Sequence, residues 1–159
     1  MNVNFTITFD YQKFYKEEEF SQTESELRGK IASAKAIEGA VVLDAENQPT
    51  IEIIDELLPW IQNLCFRAVS QLMNGEEVRI HYFSRSGYLD LKPVGDNIEV
   101  SGNKTASGVY PKSTLLAALF ACGERFDALM REIKSNDPNV IGNLNYMRQF
   151  AEMAREVLR

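Results

Sequence analysis

Apolar and polar positions alternate at the start of the chain. Val3, Phe5, Ile7 and Phe9 are interleaved with Asn4, Thr6, Thr8 and Asp10, the period of a strand buried on one face. From Tyr11 to Glu26 the pattern dissolves into polar residues, which predicts loop or a frayed helical turn. Ser25 to Ile37 reads as a short helix containing Gly29. Ala40–Leu43 and Thr50–Ile54 read as two short strands, with Asn47-Gln48-Pro49 as the turn between them. The period then changes. Leu57, Ile61, Leu64, Cys65, Ala68, Val69 and Leu72 form one apolar stripe over about four helical turns. Asp55 and Glu56 suit the N-terminus of that helix, where the backbone dipole favours negative charge. Pro59 is tolerated only in a first turn, so the helix is expected to begin between Asp55 and Leu58 and to end at Asn74-Gly75.

Alternation returns after Gly75. A loop centred on Arg85-Ser86 would set Phe83 opposite Tyr88, Tyr82 opposite Leu89, His81 opposite Asp90 and Ile80 opposite Leu91. A second turn at Gly95-Asp96 would set Leu91 opposite Val100, Lys92 opposite Glu99 and Pro93 opposite Ile98. Both registers gather Val78, Ile80, Tyr82, Leu89, Leu91, Ile98 and Val100 on one face, and a slip of one residue would scatter them. Asn103-Lys104 can turn the chain into a fourth strand, Ala106–Tyr110. Two helical stripes follow. Leu115, Leu119, Cys122, Phe126, Leu129 and Ile133 mark a helix from Pro111 to Lys134. Ile141, Leu144, Met147, Ala151, Ala154 and Leu158 mark another from Pro138 to Leu158. The order implies one α+β domain over residues 1–159, an antiparallel β-meander with helices packed on one face and two C-terminal helices.

Composition sharpens this picture in three places. At 159 residues the chain is long enough for one sizeable core. No apolar run approaches the roughly 18 to 20 residues that span a bilayer, and the first residues lack the basic flank and apolar stretch of a secretory signal. A cytoplasmic protein is the expectation, and Cys65 and Cys122 are then expected as buried, reduced thiols. A disulfide between them would require their helices to pack together. The net charge of −6 is uneven: residues 1–60 hold 12 acids against 5 bases, while the remainder holds 11 against 12. An acidic surface repels phosphate backbones and attracts basic proteins, so nucleic acid is not the expected partner.

Catalytic signals are sparse. His81 is the only histidine, and beside Asp90 it could serve as an oriented general base. On the polar face of the meander the same two residues make an ordinary cross-strand surface pair. Cys65 or Cys122 with His81 could form a thiol–imidazole dyad, but both cysteines lie within apolar stripes. The residues offer no metal-ligand spacing and no phosphate-binding glycine motif, so no cofactor is expected. The outer face of the meander carries Arg79, His81, Phe83, Tyr88, Asp90, Lys92 and Glu99. It is either an interface of mixed aromatics and charge or a face covered by the N-terminal segment.

Three stretches carry a wider likeness: IDELLPWIQNLCFRAVSQLM, EVRIHYFSRSGYLDLKPVGDNIEVSG and VYPKSTLLAALFACGERFDALM. Their succession after an acidic N-terminal part resembles the small bacterial immunity proteins of contact-dependent growth inhibition and polymorphic toxin systems, over residues 50–134. The resemblance implies a non-enzymatic, cytoplasmic binder of one cognate toxin domain, commonly a nuclease with a basic substrate surface. It carries over no binding residues. Charge and facing nominate Glu17, Glu18, Glu19, Glu24, Asp44 and Glu46 in the acidic third, and Arg79, His81, Phe83, Tyr88 and Asp90 on the meander. The competing expectation is a small ligand-binding domain or enzyme built on His81 and Asp90. A monomer is expected, or a weak homodimer through the helix Ile141–Leu158.

Overall fold

The computed structural model describes residues 1–21 and 26–159. Its strands form two antiparallel four-stranded sheets rather than one. The first contains β1 (Asn2–Thr8), β2 (Phe14–Lys16), β3 (Glu38–Asp44) and β4 (Ile51–Glu56), in the order β2-β1-β3-β4. Val3 lies opposite Leu43 and Phe5 opposite Val41, while Leu43 lies opposite Ile51 and Val41 opposite Ile53. These six side chains make the buried inner face. The polar stretch after β1 holds more structure than its composition suggests. Asp10 accepts hydrogen bonds from Gln12 N–H and Lys13 N–H. Tyr11 takes a left-handed φ of 60°, and the chain folds back so that β2 pairs with β1. A single 3-10 turn, Glu17–Phe20, then drives Phe20 fully into the core. Helix α1 (Glu26–Ser33) stops short of Ile37, which precedes β3 and whose carbonyl accepts Leu57 N–H.

The central helix starts later than its acidic flank suggests. Asp55 and Glu56 are the last residues of β4, and helical geometry begins at Leu57. It runs as α2 (Leu57–Trp60), a π-helical stretch (Ile61–Arg67) and α3 (Ala68–Met73). The wider π turn buries Phe66 alongside Ile61, Leu64 and Cys65, adding a residue that lies outside the 3.6-residue stripe. The helix closes on Gly75 at φ 82°. Gly75 N–H donates to Leu72 O and Glu76 N–H to Gln71 O, the paired bonds of a glycine C-cap.

The second sheet is a meander of β5 (Val78–His81), β6 (Tyr88–Val94), β7 (Asn97–Gly102) and β8 (Gly108–Pro111), in sequential order. The β6–β7 register is the expected one. The β5–β6 register is shifted by two: Arg79 lies opposite Asp90, Ile80 opposite Leu89 and His81 opposite Tyr88. A shift of two keeps every side chain on its face, so Val78, Ile80, Leu89, Leu91, Ile98 and Val100 still point into the core. The cause lies in the loop. Asp55 captures Phe83 N–H and Ser84 N–H at 2.5 and 3.0 Å, so Phe83–Ser86 leaves the ladder and the hairpin closes at Tyr82 N–H···O Gly87.

Helix α4 (Lys112–Ile133) lies across β1 and the ends of β7 and β8. Phe126 meets Phe5 edge-on with ring centroids 5.2 Å apart. Helix α5 (Pro138–Val157) begins at Asp137, whose carboxylate accepts Asn139 N–H and Val140 N–H, with Pro138 in the first turn. Val140, Leu144, Met147, Ala151 and Ala154 are buried, while Ile141 and Leu158 are only half-buried. One continuous apolar cluster joins both sheets to these helices. None of the described helices is long and apolar enough to cross a membrane.

Candidate partner-binding surfaces

The nominated residues that are described lie in the 3-10 turn, at the outer side of the first sheet and on the meander with its loop, and several have structural duties. Glu17 is tied inward: Arg125 donates to it from Nε at 2.8 Å, and Phe5 N–H donates to it at 3.1 Å. Arg125 also donates to the Val3 carbonyl at 2.7 Å. This cluster fastens α4 to β1, and the Glu17 hydrogen bond holds the Arg125 guanidinium above its ordinary pKa. Glu19 accepts Lys16 N–H at the start of the 3-10 turn. Of the trio, Glu18 remains on the surface with no such tie. Glu24 lies outside the described residues.

The outer face of the first sheet collects the remaining acids. Asp44 ends β3, Glu46 follows it in the turn, and Glu52 lies across from Val42 on β4. Glu18, Asp44 and Glu52 border a shallow hollow of about 370 Å³ floored by Thr6 and Val42, in which Lys16 is the one base. At the other end of the same face Glu38 stands directly opposite Glu56. Burial raises the Glu56 pKa, and the charges of Glu38 and Asp55 raise it further. Burial, reinforced by a hydrogen bond to Glu38, pushes the Tyr11 phenol up to about 12. Like charges across a strand pair oppose folding, so this face holds negative charge that its own neighbours do not neutralise.

The outer face of the meander is open, and none of the described N-terminal residues covers it. Phe83 is 64% exposed, and His81, Lys92 and Glu99 are exposed beside half-buried Tyr88 and Asp90. The expected His81–Asp90 pair is not formed. With the register shifted, Arg79 reaches Asp90 instead, donating from Nε and Nη2 at 2.7 and 2.8 Å. Its guanidinium also lies 3.9 Å from the Tyr88 ring centroid. The Arg79 hydrogen bonds are the main cause of the lowered Asp90 pKa. Asp90 is therefore an ion-pair partner in this structure rather than the orienting group of a histidine base.

Two further constellations lie inside. Asp55 is buried and accepts from Trp60 Nε1, Phe83 N–H, Ser84 N–H and the Ser84 hydroxyl. Burial alone would raise its pKa, but the donors from Ser84, Trp60 and Phe83 outweigh that and lower it. Local spacing missed this role because the loop partners lie almost thirty residues downstream. Cys65 and Cys122 are fully buried and free. Their helices do pack, the thiols are hydrogen-bonded to each other, and that bond together with burial holds Cys65 well above the usual thiol range. Neither cysteine forms a dyad with the exposed His81. Among the described residues no group of three or more His, Cys, Asp or Glu is placed to hold a metal.

No protein-family model matches the chain, and no curated protein or solved structure matches it either.

Proposed function

We propose that the chain is a cytoplasmic immunity protein that binds one cognate toxin domain, a nuclease in the simplest case, and neutralises it through acidic surface complementarity. The observation that carries this reading is the unneutralised outer face of the first sheet. Asp44, Glu52 and Glu18 stand around one hollow, and Glu38 and Glu56 repel each other across one strand pair. Basic side chains from a partner would relieve that repulsion, and a nuclease surface shaped for phosphate supplies them. The resemblance over residues 50–134 points to the same class of protein. The open, aromatic-bearing outer face of the meander offers a second contact region, with Phe83 as its most exposed anchor.

The test is co-expression with each toxic domain found to be encoded beside this gene. Growth should be rescued, and the two chains should elute as a one-to-one complex whose toxin is inactive. A toxic domain that kills equally well with and without this chain, across every neighbouring toxin gene, would remove the proposal.

A further inference from the structure

The meander ends in a strand whose outer edge stands open beside a polar helix face. We propose that this edge takes up an extended acidic segment of a partner protein as an added antiparallel strand. The hydrogen-bond parity of β5 fixes which groups are free. Tyr82 N–H donates to Gly87 O at 3.0 Å, on the β6 side. Tyr88 N–H turns the other way and donates to Asn103 Oδ1 at 2.9 Å. Alternation then points the backbone groups of Val78 and Ile80 at β6, and those of Arg79 and His81 away from the sheet. A groove of about 480 Å³ runs along that side, lined by all five consecutive residues Glu77 to His81. A strand lines a groove with consecutive residues when it presents its edge rather than a face.

The opposite wall is Asn63, Arg67 and Gln71. Their spacing of four puts three polar side chains in one row of a helix whose Leu64, Ala68 and Leu72 are buried. Two of the other three sheet edges are closed differently. On β8 the Val109 N–H donates to Gln48 Oε1 at 3.2 Å, and Pro111 has no N–H to offer. β2 is only three residues long. Strand addition at exposed edges is a recurrent mode of peptide capture. Charge favours an acidic occupant at one wall: Arg67 forms no ion pair among the described residues, Arg79 is already held by Asp90, and Glu77 is the single carboxylate in the lining. On an added strand, side chains of one parity meet Asn63, Arg67 and Gln71, where Asp or Glu can take a forked bond from the guanidinium. Side chains of the other parity stand beside His81 and the stem of Arg79, whose guanidinium is turned to Asp90 and Tyr88 on β6. The inference rests on the chain being a partner-binding protein, but not on the partner being a toxin, nor on the acidic face of the first sheet.

The probe is a capped octapeptide of alternating Thr and Asp, with an alternating Thr and Lys octapeptide as its counterpart, titrated into the isotope-labelled protein. The acidic peptide should shift the amide signals of residues 77–81 together with those of Asn63, Arg67 and Gln71, and the basic one should not. Hydrogen exchange at the Arg79 and His81 amides should be fast in the free protein and slow by about tenfold with the acidic peptide bound. His81→Pro removes an outward N–H and no ladder bond, so the peptide should bind about tenfold more weakly, while His81→Ala stays within about threefold of the parent. The proposal is overturned by protected Arg79 and His81 amides in the free protein, by an equal response to both peptides, or by His81→Ala losing as much as His81→Pro. If His81→Pro does not fold, the exchange pattern of the unaltered protein decides alone. Failure here leaves growth rescue by the acidic face untouched, and failure of growth rescue leaves the peptide result standing.

Discussion

Asp55 accepts more hydrogen bonds than any other carboxylate among the described residues. It sits at the end of β4 with 1% exposure and joins the first sheet, the Trp60 indole and the Phe83–Ser84 loop. Asp55→Ala leaves three N–H donors without their acceptor, and we expect a loss of about 3 kcal/mol in urea unfolding. The pH dependence follows from the direction of its shift. A carboxylate with a lowered folded pKa contributes stability in full above its unfolded value near 4, and loses it as the pH falls through the lower folded value. The gap between parent and Asp55→Asn should therefore be largest near pH 6 and narrow progressively below pH 4. A gap that stays constant over that range would mean that the carboxylate charge contributes nothing. The residue type was legible in the sequence and its use was not. An acid ahead of an apolar helical stripe reads as a helix-terminal charge, because local spacing carries no information about a loop 28 residues away.

At the scale of elements, the π-helical stretch and α4 pack with almost no space between them at one point. Gly123 faces Phe66 so closely that an added Cβ would lie 2.6 Å from the ring and 2.9 Å from the Cys65 Cβ. Alanine ordinarily favours a helix over glycine by about 1 kcal/mol. Here overpacking should reverse the sign, and Gly123→Ala should lower the unfolding free energy by about 1 to 3 kcal/mol. A paired Phe66→Leu substitution should recover part of it, and a double-mutant cycle showing strict additivity would place the strain elsewhere. Periodicity foresaw both long helices and the β6–β7 register, because those patterns are set by which face is buried. It could not foresee the π turn, which changes the period inside a stripe. Nor could it separate the strands into two sheets, since alternation fixes facing but not neighbours. The β5–β6 register shows the same limit: the facing was right, the pairing was shifted by two, and the shift was enough to replace His81 with Arg79 as the partner of Asp90.

Across the whole molecule, charge and shape divide between the two sheets. The first sheet turns an acidic outer face to solvent, and the meander shows aromatics, an internally paired Arg79 and an edge groove faced by Arg67. If the acidic face steers a basic partner, its effect belongs chiefly to the association rate, since exposed charges act over about 10 Å before salt screens them. Asp44 and Glu52 are exposed, so Asp44→Lys with Glu52→Lys should leave unfolding free energy within about 0.5 kcal/mol of the parent. At low salt the doubly reversed protein should associate with the proposed basic partner about tenfold more slowly, and the two proteins should converge as ionic strength rises past physiological. Dissociation should change much less. Phe83→Ala should show the opposite division, with a nearly unchanged association rate and faster dissociation, because an apolar anchor acts after encounter. An association rate that neither falls on charge reversal nor depends on salt would detach the acidic face from binding and leave the meander as the docking surface.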